Sequence, residues 1–368
     1  MIFWINGEEL VRLKNKNALI VLTGATIGLF GALLVKLGNP GNMGYCIACF
    51  IRDISGAIGL HRAANVQYIR PEIIGLGLGA FVASLTAKEF RVREGSAPLI
   101  RFVLGAFMMI GALVFLGCPL RAILRLAGGD LNALAGLLGF VAGVAFGTQF
   151  LKWGFNLGRA YPGKFQAGGY VLPLILVGLL MLLLSKPVFN AQAGGPIFFS
   201  TTPPGSLHAP VLVSLAAGLA GGALAQRTRL CLSAGFRDLL LVRDTYLLKG
   251  YGLILLTALI FNVLFGQFKP GFLNQPIAHA NYLWNFLGLF LTGVCAVLLG
   301  GCPLRQLILA GEGDGDAGMA VLGMVAGAAL AHNFMLASSP AGPTLYGQVA
   351  VILGLVVAVV VGLVYREV

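Results

Sequence analysis

Gly117-Cys118-Pro119-Leu120-Arg121 recurs, residue for residue, as Gly301-Cys302-Pro303-Leu304-Arg305, each copy at the end of a long apolar segment. The second copy begins 184 residues after the first, which is half of the 368-residue chain. The spacing therefore predicts two copies of one structural unit. Proline is favoured at the first position of a helix. Each copy thus places a cysteine at a predicted helix cap and an arginine in the first turn.

The composition is that of a membrane protein. The chain is 58% hydrophobic and 10% charged, with a mean hydropathy of +0.90, whereas ordinary soluble domains carry about 25% charged residues. A spanning helix needs about 20 mostly apolar residues, and the chain holds about ten such runs. We predict an all-α polytopic membrane protein. The net charge of +12 does not indicate a nucleic-acid partner, because the basic residues lie mostly at the ends of predicted spans.

The duplication extends beyond the pentapeptide. Asp130 and the stretch 138–143 recur as Asp314 and 322–327 at the same offset, and Cys46 with Arg52-Asp53 recurs as Cys231 with Arg237-Asp238 one residue further on. Each half contains four predicted spans, and the single span between the halves turns the second half upside down. This inverted repeat is common among transporters. The predicted parts are a cytoplasmic N-terminal segment (1–17), a first transmembrane repeat (18–152), a linker with one spanning helix (153–208), a second, inverted repeat (209–337) and a C-terminal spanning helix (338–368).

Four segments that begin at cysteines are too short to span a membrane. They start at Cys46, Cys118, Cys231 and Cys302. Eight helical residues cover only about 12 Å. Such segments are predicted to be re-entrant half-helices that stay buried in protein.

The distribution of Lys and Arg predicts that both termini are cytoplasmic. The loops 187–208 and 338–345 fall outside in this arrangement and contain neither residue. The half-helices at Cys46 and Cys118 then enter from the outer face, and those at Cys231 and Cys302 enter from the cytoplasm. Helix N-termini that converge near the midplane make an anion site, because they present free N–H groups and a partial positive charge.

Four arginines accompany the half-helices and would strengthen this field: Arg52, Arg121, Arg237 and Arg305. Charged residues at membrane depth are candidates for function. The alternative is that they extend to the interface or form local ion pairs with Asp53, Asp130, Asp238 and Asp314. A protonated thiol is a weak donor, which suits a passage whose sites must also release the anion.

These residues resemble the YeeE/YedE family of membrane proteins, which includes thiosulfate transporters. The resemblance covers essentially the whole chain, and the stretch Tyr45–Asp53 is most similar to the YedE branch, which is linked to selenium metabolism. It implies an hourglass-shaped bundle in the bacterial inner membrane. It also implies that protonated thiols at Cys46, Cys118 and Cys302 pass a small sulfur or selenium anion inward. A small cytosolic sulfur carrier of the SirA/TusA type is the implied protein partner.

Three further cysteines leave alternatives open. Cys231 is the repeat partner of Cys46 and would extend the path, whereas Cys295 fits plain core packing. Cys46 and Cys49 form a CxxC motif, which suits a membrane thiol–disulfide oxidoreductase or a redox gate. A soft-metal transporter is disfavoured because the predicted passage is lined by arginine. We expect no cofactor and no enzymatic activity, since the sequence contains neither a phosphate-binding loop nor a nucleophile–base pair.

Overall fold

The computed structural model describes residues 7–158, 160–163, 165–190 and 195–366, and fourteen α-helices lie within them. The helices of the first half are α1 (Gly7–Lys36), α2 (Ile47–Ala57), α3 (Pro71–Thr86), α4 (Pro98–Phe115), α5 (Pro119–Ala127) and α6 (Asn132–Lys152). The helix between the halves is α7 (Val171–Ser185), which follows a 3₁₀ turn (Gln166–Tyr170). The helices of the second half are α8 (Val211–Thr228), α9 (Leu232–Val242), α10 (Tyr246–Leu264), α11 (Tyr282–Leu298), α12 (Pro303–Gly311) and α13 (Gly315–Asn333), and α14 (Leu345–Val364) follows them.

Strand structure within the described residues is confined to two small antiparallel pairs. β1 (Arg93–Glu94) pairs with β2 (Tyr161–Pro162), and β3 (Val188–Asn190) pairs with β4 (Gly195–Pro196). Nine helical segments of the described chain are long and apolar enough to cross a membrane, and α3 is a shorter apolar helix. The prediction of an all-α polytopic membrane protein is confirmed.

The four short helices α2, α5, α9 and α12 begin directly after the four predicted cysteines. They contain 11, 9, 11 and 9 residues, so each is about 14 to 17 Å long. The hydrocarbon core of a bilayer is about 30 Å thick, so none of them crosses it alone. Each of the four has either Pro or a thiol that accepts a capping hydrogen bond at its start, which explains why the chain turns into a helix there.

Glycine allows helices from opposite halves to pack backbone against backbone. A Cβ added to Gly24 of α1 would lie 2.5 Å from the carbonyl oxygen of Gly250, and one on Gly28 would lie 2.8 Å from that of Ile254. The contact therefore moves forward by four residues along α1 and by four along α10, so the two helices run in the same direction. The same order relates α3 to α8, α6 to α11 and α4 to α13. Small residues permit this close approach where lipid replaces water.

Contacts at the helix ends fix the relative direction within one half. Asn39, just beyond α1, donates from Nδ2 to Glu72 Oε1 at the start of α3 (2.8 Å), and its Oδ1 accepts from the N–H of Ala209 just before α8 (2.8 Å). The end of α1 therefore lies beside the starts of α3 and α8. Because α10 runs parallel to α1, it runs opposite to α3, which is its equivalent in the repeat. An inverted repeat requires this relation.

The remaining ends meet in the same way. Ser96, before α4, donates its backbone N–H to Asp316 at the start of α13 (3.1 Å), and Arg101 donates to the carbonyl of Leu299 just after α11 (3.2 Å). The two helices outside the duplicated part pack on its surface: α7 contacts α3, and α14 contacts α4 and α11. The interior is thus formed by the two halves, and α2, α5 and α12 lie within it. Only the first turn of α9 is buried, and its residues 239–242 are exposed, so the prediction that all four short helices stay buried in protein fails for the end of α9.

Candidate functional site

The first-repeat cluster is formed by Cys46, Cys49 and Cys118, all of which are buried. Cys46 caps α2, and its sulfur accepts a hydrogen bond from the backbone N–H of Cys49 (3.3 Å). Cys118 caps α5, and its side chain interacts with that of Cys46. The sulfur of Cys118 is near the N–H groups of Ala48 and Arg121 without making a capping hydrogen bond. The first turns of α2 and α5 therefore meet at two thiols.

The second-repeat cluster has the same construction. Cys231 caps α9, and its sulfur accepts from the N–H of Ala234 (3.4 Å) and of Cys302 (3.4 Å). The hydroxyl of Ser233 lies 3.1 Å from the sulfur of Cys231. Cys302 occupies the N-cap position of α12, and its sulfur is near the N–H groups of Leu232 and Arg305 without making a capping hydrogen bond. Two further helix starts thus converge on a pair of thiols.

Tyr251 of α10 connects the two clusters. Its buried side chain is near enough to Cys302, Cys231 and Cys118 to interact electrostatically with all three, and it approaches the thiol of Cys302 directly. No motif in the sequence marks this tyrosine, and the sequence analysis missed it. Its position follows from helix packing, because α10 contacts both α5 and α9.

Arg121 is a buried cation that is held by neutral groups. Its guanidinium donates to the carbonyls of Asn42 (3.2 Å), Leu116 and Ile277 (3.3 Å), and its Nη1 lies 3.5 Å from the sulfur of Cys49. No carboxylate of the described chain lies within ion-pair distance of it. A buried charge without a counterion is costly, so an anion that reaches this position is stabilised.

The predicted local pairing of Arg121 with Asp130 is wrong. Asp130 instead pairs with Arg125, four residues further along α5, at 2.7 Å. Arg125 also donates to the carbonyl of Phe115 (3.0 Å). Arg125 lies one helical turn closer to Asp130 than Arg121 does, and the sequence analysis did not consider it as a partner.

Arg52 does form the predicted pair with its neighbour Asp53, at 2.7 Å. Asp53 also binds Arg70 at 2.7 Å, and all three side chains are almost fully buried. Two cations share one carboxylate, which leaves a net positive charge. Arg52 interacts electrostatically with Cys49 and Cys46. This charge therefore acts on the first-repeat cluster.

The arginines of the second repeat lie in more open surroundings. Arg237 pairs with Asp238 at 2.8 Å, as predicted, and both side chains are about one-third exposed. Arg305 pairs with Glu312 at 2.9 Å and not with Asp314, so that predicted pairing is wrong. Burial raises the pKa of Glu312, and the guanidinium of Arg305 opposes this shift.

Arg305 also lines a polar cavity of about 290 Å³. Its walls carry four arginines and three acidic residues, with one apolar side chain: Arg91, Arg93, Arg229, Arg305, Glu89, Glu312, Asp314 and Leu309. The cavity lies near the ends of α3 and α8 and the starts of α4 and α13. The pentapeptide arginine of the second repeat thus borders a partly open polar cavity, whereas that of the first repeat is fully buried.

The glycine of each pentapeptide has a packing role that the sequence analysis did not recognise. A Cβ on Gly117 would lie 2.8 Å from Cδ of Arg121, and one on Gly301 would lie 2.9 Å from Cγ of Arg305. Each arginine folds back over its own glycine. The sequence signal for this packing role is that a glycine precedes an arginine by four residues in each pentapeptide.

Cys295 stands apart from both clusters. It is buried within α11, and the described contacts connect it to no other thiol. All six cysteines are free, so Cys46 and Cys49 are not joined by a disulfide. Among the residues described, no group of three or more His, Cys, Asp or Glu side chains has the geometry of a metal site.

The comparisons with known proteins point to sulfur transport. A family model described as sulphur transport matches residues 227–366. The thiosulfate transporter TsuA of Spirochaeta thermophila is 34% identical over 112 residues, which cover 30% of this chain and 33% of the relative. The thiosulfate transporter TsuA of Escherichia coli is 30% identical over 103 residues, or 28% and 29% of the two chains.

The chain therefore spans about a third of the length of the curated relatives that it matches. The matched family segment contains Cys231 and the second pentapeptide, with Cys302 at its centre. The duplicated motif extends the same features to the first half. Over residues 227–366 the chain is therefore similar to sulphur-transport membrane proteins, and about a third of it resembles the two thiosulfate transporters.

Proposed function

We propose that this protein is an uptake transporter for a small sulfur anion such as thiosulfate, and that selenium anions of similar size use the same path. One observation carries the proposal. Two pairs of half-helix starts each converge on two thiols, and the first pair adds the buried Arg121, which has no carboxylate partner among the described residues. Helix starts and an uncompensated cation favour an anion.

The thiols supply donors of suitable strength. Backbone N–H groups donate to the sulfurs of Cys46 and Cys231, so a lone pair on each of these two sulfurs is already engaged. The S–H proton then remains free to point toward a ligand. Because an S–H group donates weakly, the anion is held without being trapped, as conduction requires.

The order of the sites follows from the repeat. We assign Cys46 and Cys118, with Arg121 and Arg52, to the entry side, and Cys231 and Cys302, with Arg305 and Arg237, to the exit side. The predicted repeat boundaries, 18–152 and 209–337, belong to this proposal. So do the bacterial inner membrane as location and the cytoplasmic termini. The basic cavity beside Arg305 would deliver the anion to a cytosolic carrier of the SirA/TusA type.

The decisive test is uptake of radiolabelled thiosulfate and selenite by purified protein in liposomes. Cys118→Ala and Cys302→Ala should each abolish uptake, and Cys295→Ala, outside both clusters, should retain it. Wild-type rates in both of the first two variants would reject the thiol path. An absence of uptake of either anion by the wild-type protein would reject the transport function itself.

A membrane thiol–disulfide oxidoreductase is the second candidate. It is favoured by the contact of Cys46 with Cys49, whose N–H donates to the Cys46 sulfur at 3.3 Å. The transporter proposal expects Cys49→Ala to slow uptake without abolishing it. Complete loss in that variant, together with catalytic reduction of a disulfide substrate by the wild-type protein, would favour the oxidoreductase.

A further inference from the structure

The hydroxyl of Tyr251 is buried without a hydrogen-bond partner. The side chain is 3% exposed, and within the described chain no donor or acceptor satisfies the hydroxyl. Most buried polar groups are hydrogen-bonded, so an exception in the interior requires an explanation. The charged or polarizable neighbours of this hydroxyl are the thiols of Cys302, Cys231 and Cys118, and the thiol of Cys302 approaches it without the geometry of a hydrogen bond.

We propose that Tyr251 is an anion-binding residue that donates its hydroxyl proton to the transported anion between the two thiol clusters. The inference rests on the proposed function and adds a site residue to it. Tyr251 lies on α10, which packs against α5, capped by Cys118, and against α9, capped by Cys231. An anion that leaves Cys118 for the second repeat therefore passes this hydroxyl.

The chemistry of a phenol complements that of the thiols. An O–H group is a stronger donor than S–H, and it stays neutral in a buried site, so it does not repel the anion. Hydrogen bonds to an ionised acceptor are shorter and roughly twice as strong as neutral ones. The anion would thus accept the hydrogen bond that the hydroxyl of Tyr251 does not make to the described residues.

A second buried tyrosine shows that an unpaired hydroxyl is not a general property of buried tyrosines in this fold. Tyr45 is 1% exposed and precedes Cys46 in the chain. Its hydroxyl nevertheless donates to the carbonyl of Ala217 at 2.7 Å. Tyr45 is therefore a structural residue, and it provides a matched control.

The test compares Tyr251→Phe with Tyr45→Phe by thiosulfate uptake in liposomes and by thermal unfolding in detergent. Tyr251→Phe removes an unsatisfied hydroxyl, so its Tm should equal or exceed that of the wild type, while uptake falls about tenfold or more. Tyr45→Phe removes a satisfied hydroxyl, so its Tm should fall while uptake per folded molecule persists.

Three outcomes are decisive. Reduced uptake with an unchanged or higher Tm in Tyr251→Phe supports the inference. Wild-type uptake in this variant, or a loss of uptake that parallels a loss of Tm, overturns it. If the wild-type protein takes up no anion, the transport function fails separately, and equilibrium binding of thiosulfate then decides: weaker binding by Tyr251→Phe supports the inference, and equal binding overturns it.

Discussion

The guanidinium Nη1 of Arg121 lies 3.5 Å from the sulfur of Cys49, so a buried cation touches the first-repeat cluster directly. The other partners of Arg121 are backbone carbonyls. Its neighbour Arg125 has the opposite environment, because an ion pair with Asp130 neutralises it. Two arginines one turn apart on α5 therefore have different environments, and the proposed function assigns anion binding to Arg121 alone.

Replacing Arg121 should impair transport more than folding. Arg121→Gln removes the uncompensated charge, so thiosulfate uptake in liposomes should fall by about tenfold or more. The amide still donates to one of the carbonyls. Uptake equal to that of the wild type at subsaturating thiosulfate would contradict a role for this charge in binding.

Arg125→Gln is the matched variant on the same helix. It leaves Asp130 buried without its cation, and breaking a buried pair costs about 3–5 kcal/mol. We expect a clear loss of thermal stability, measured by the unfolding midpoint in detergent. If Arg121→Gln destabilised the protein as much as Arg125→Gln, the distinction between the two arginines would be lost.

The pentapeptide glycines should matter through the arginines that cover them. In Gly117→Ala the new methyl group would lie 2.8 Å from Cδ of Arg121, so the side chain must shift and its contact with Cys49 is disturbed. Uptake should drop several-fold. Gly301→Ala displaces Arg305, whose side chain borders the open cavity and has room to move, so its effect should be smaller. The ratio of the two uptake rates checks this order.

Much of this arrangement could be predicted from the sequence. The repeated pentapeptide identified Cys118 and Cys302 as the residues at helix starts. The repeated pattern of a cysteine followed six residues later by Arg-Asp identified Cys46 and Cys231 in the same way. Such positions can be predicted because they depend only on neighbouring residues in the chain. The pairing of Asp53 with Arg70, seventeen residues away, could not be predicted in this way. It depends on how helices pack and on how far side chains reach.

Tyr251 was missed for the same physical reason. Its neighbours Cys118 and Cys302 are far away in the sequence, and only the contacts of α10 with other helices bring them near. Which acidic residue pairs with Arg305 also depends on how far the arginine side chain extends. Asp314 was the partner suggested by the repeat, whereas Glu312 lies closer in space to the guanidinium, at 2.9 Å.

The glycine interfaces between the halves should be required for stability. A Cβ on Gly75 of α3 would meet only backbone within 3 Å, 2.6 Å from the carbonyl of Leu215. Backbone cannot rotate away, so Gly75→Ala should cost about 1–3 kcal/mol. Gly252→Ala on α10 is the control, because no described atom lies within 4 Å of its added Cβ. An equal unfolding midpoint for both variants would contradict the close packing of α3 on α8.

The carboxyl of Glu312 should make stability depend on pH in a recognisable direction. Its pKa is raised above the ordinary value of 4.5 by burial, although Arg305 partly opposes this. The native state therefore binds more protons than the unfolded state at pH values just above 4.5. The contribution of this group to stability is greatest below that value and declines as the pH rises through the native pKa.

Glu312→Gln removes the titration, so the unfolding midpoint of the wild type, relative to that of the variant, should fall with rising pH in this window. A constant difference between the two midpoints, or one that rises with pH, would mean that the pKa of Glu312 is not raised in the folded protein.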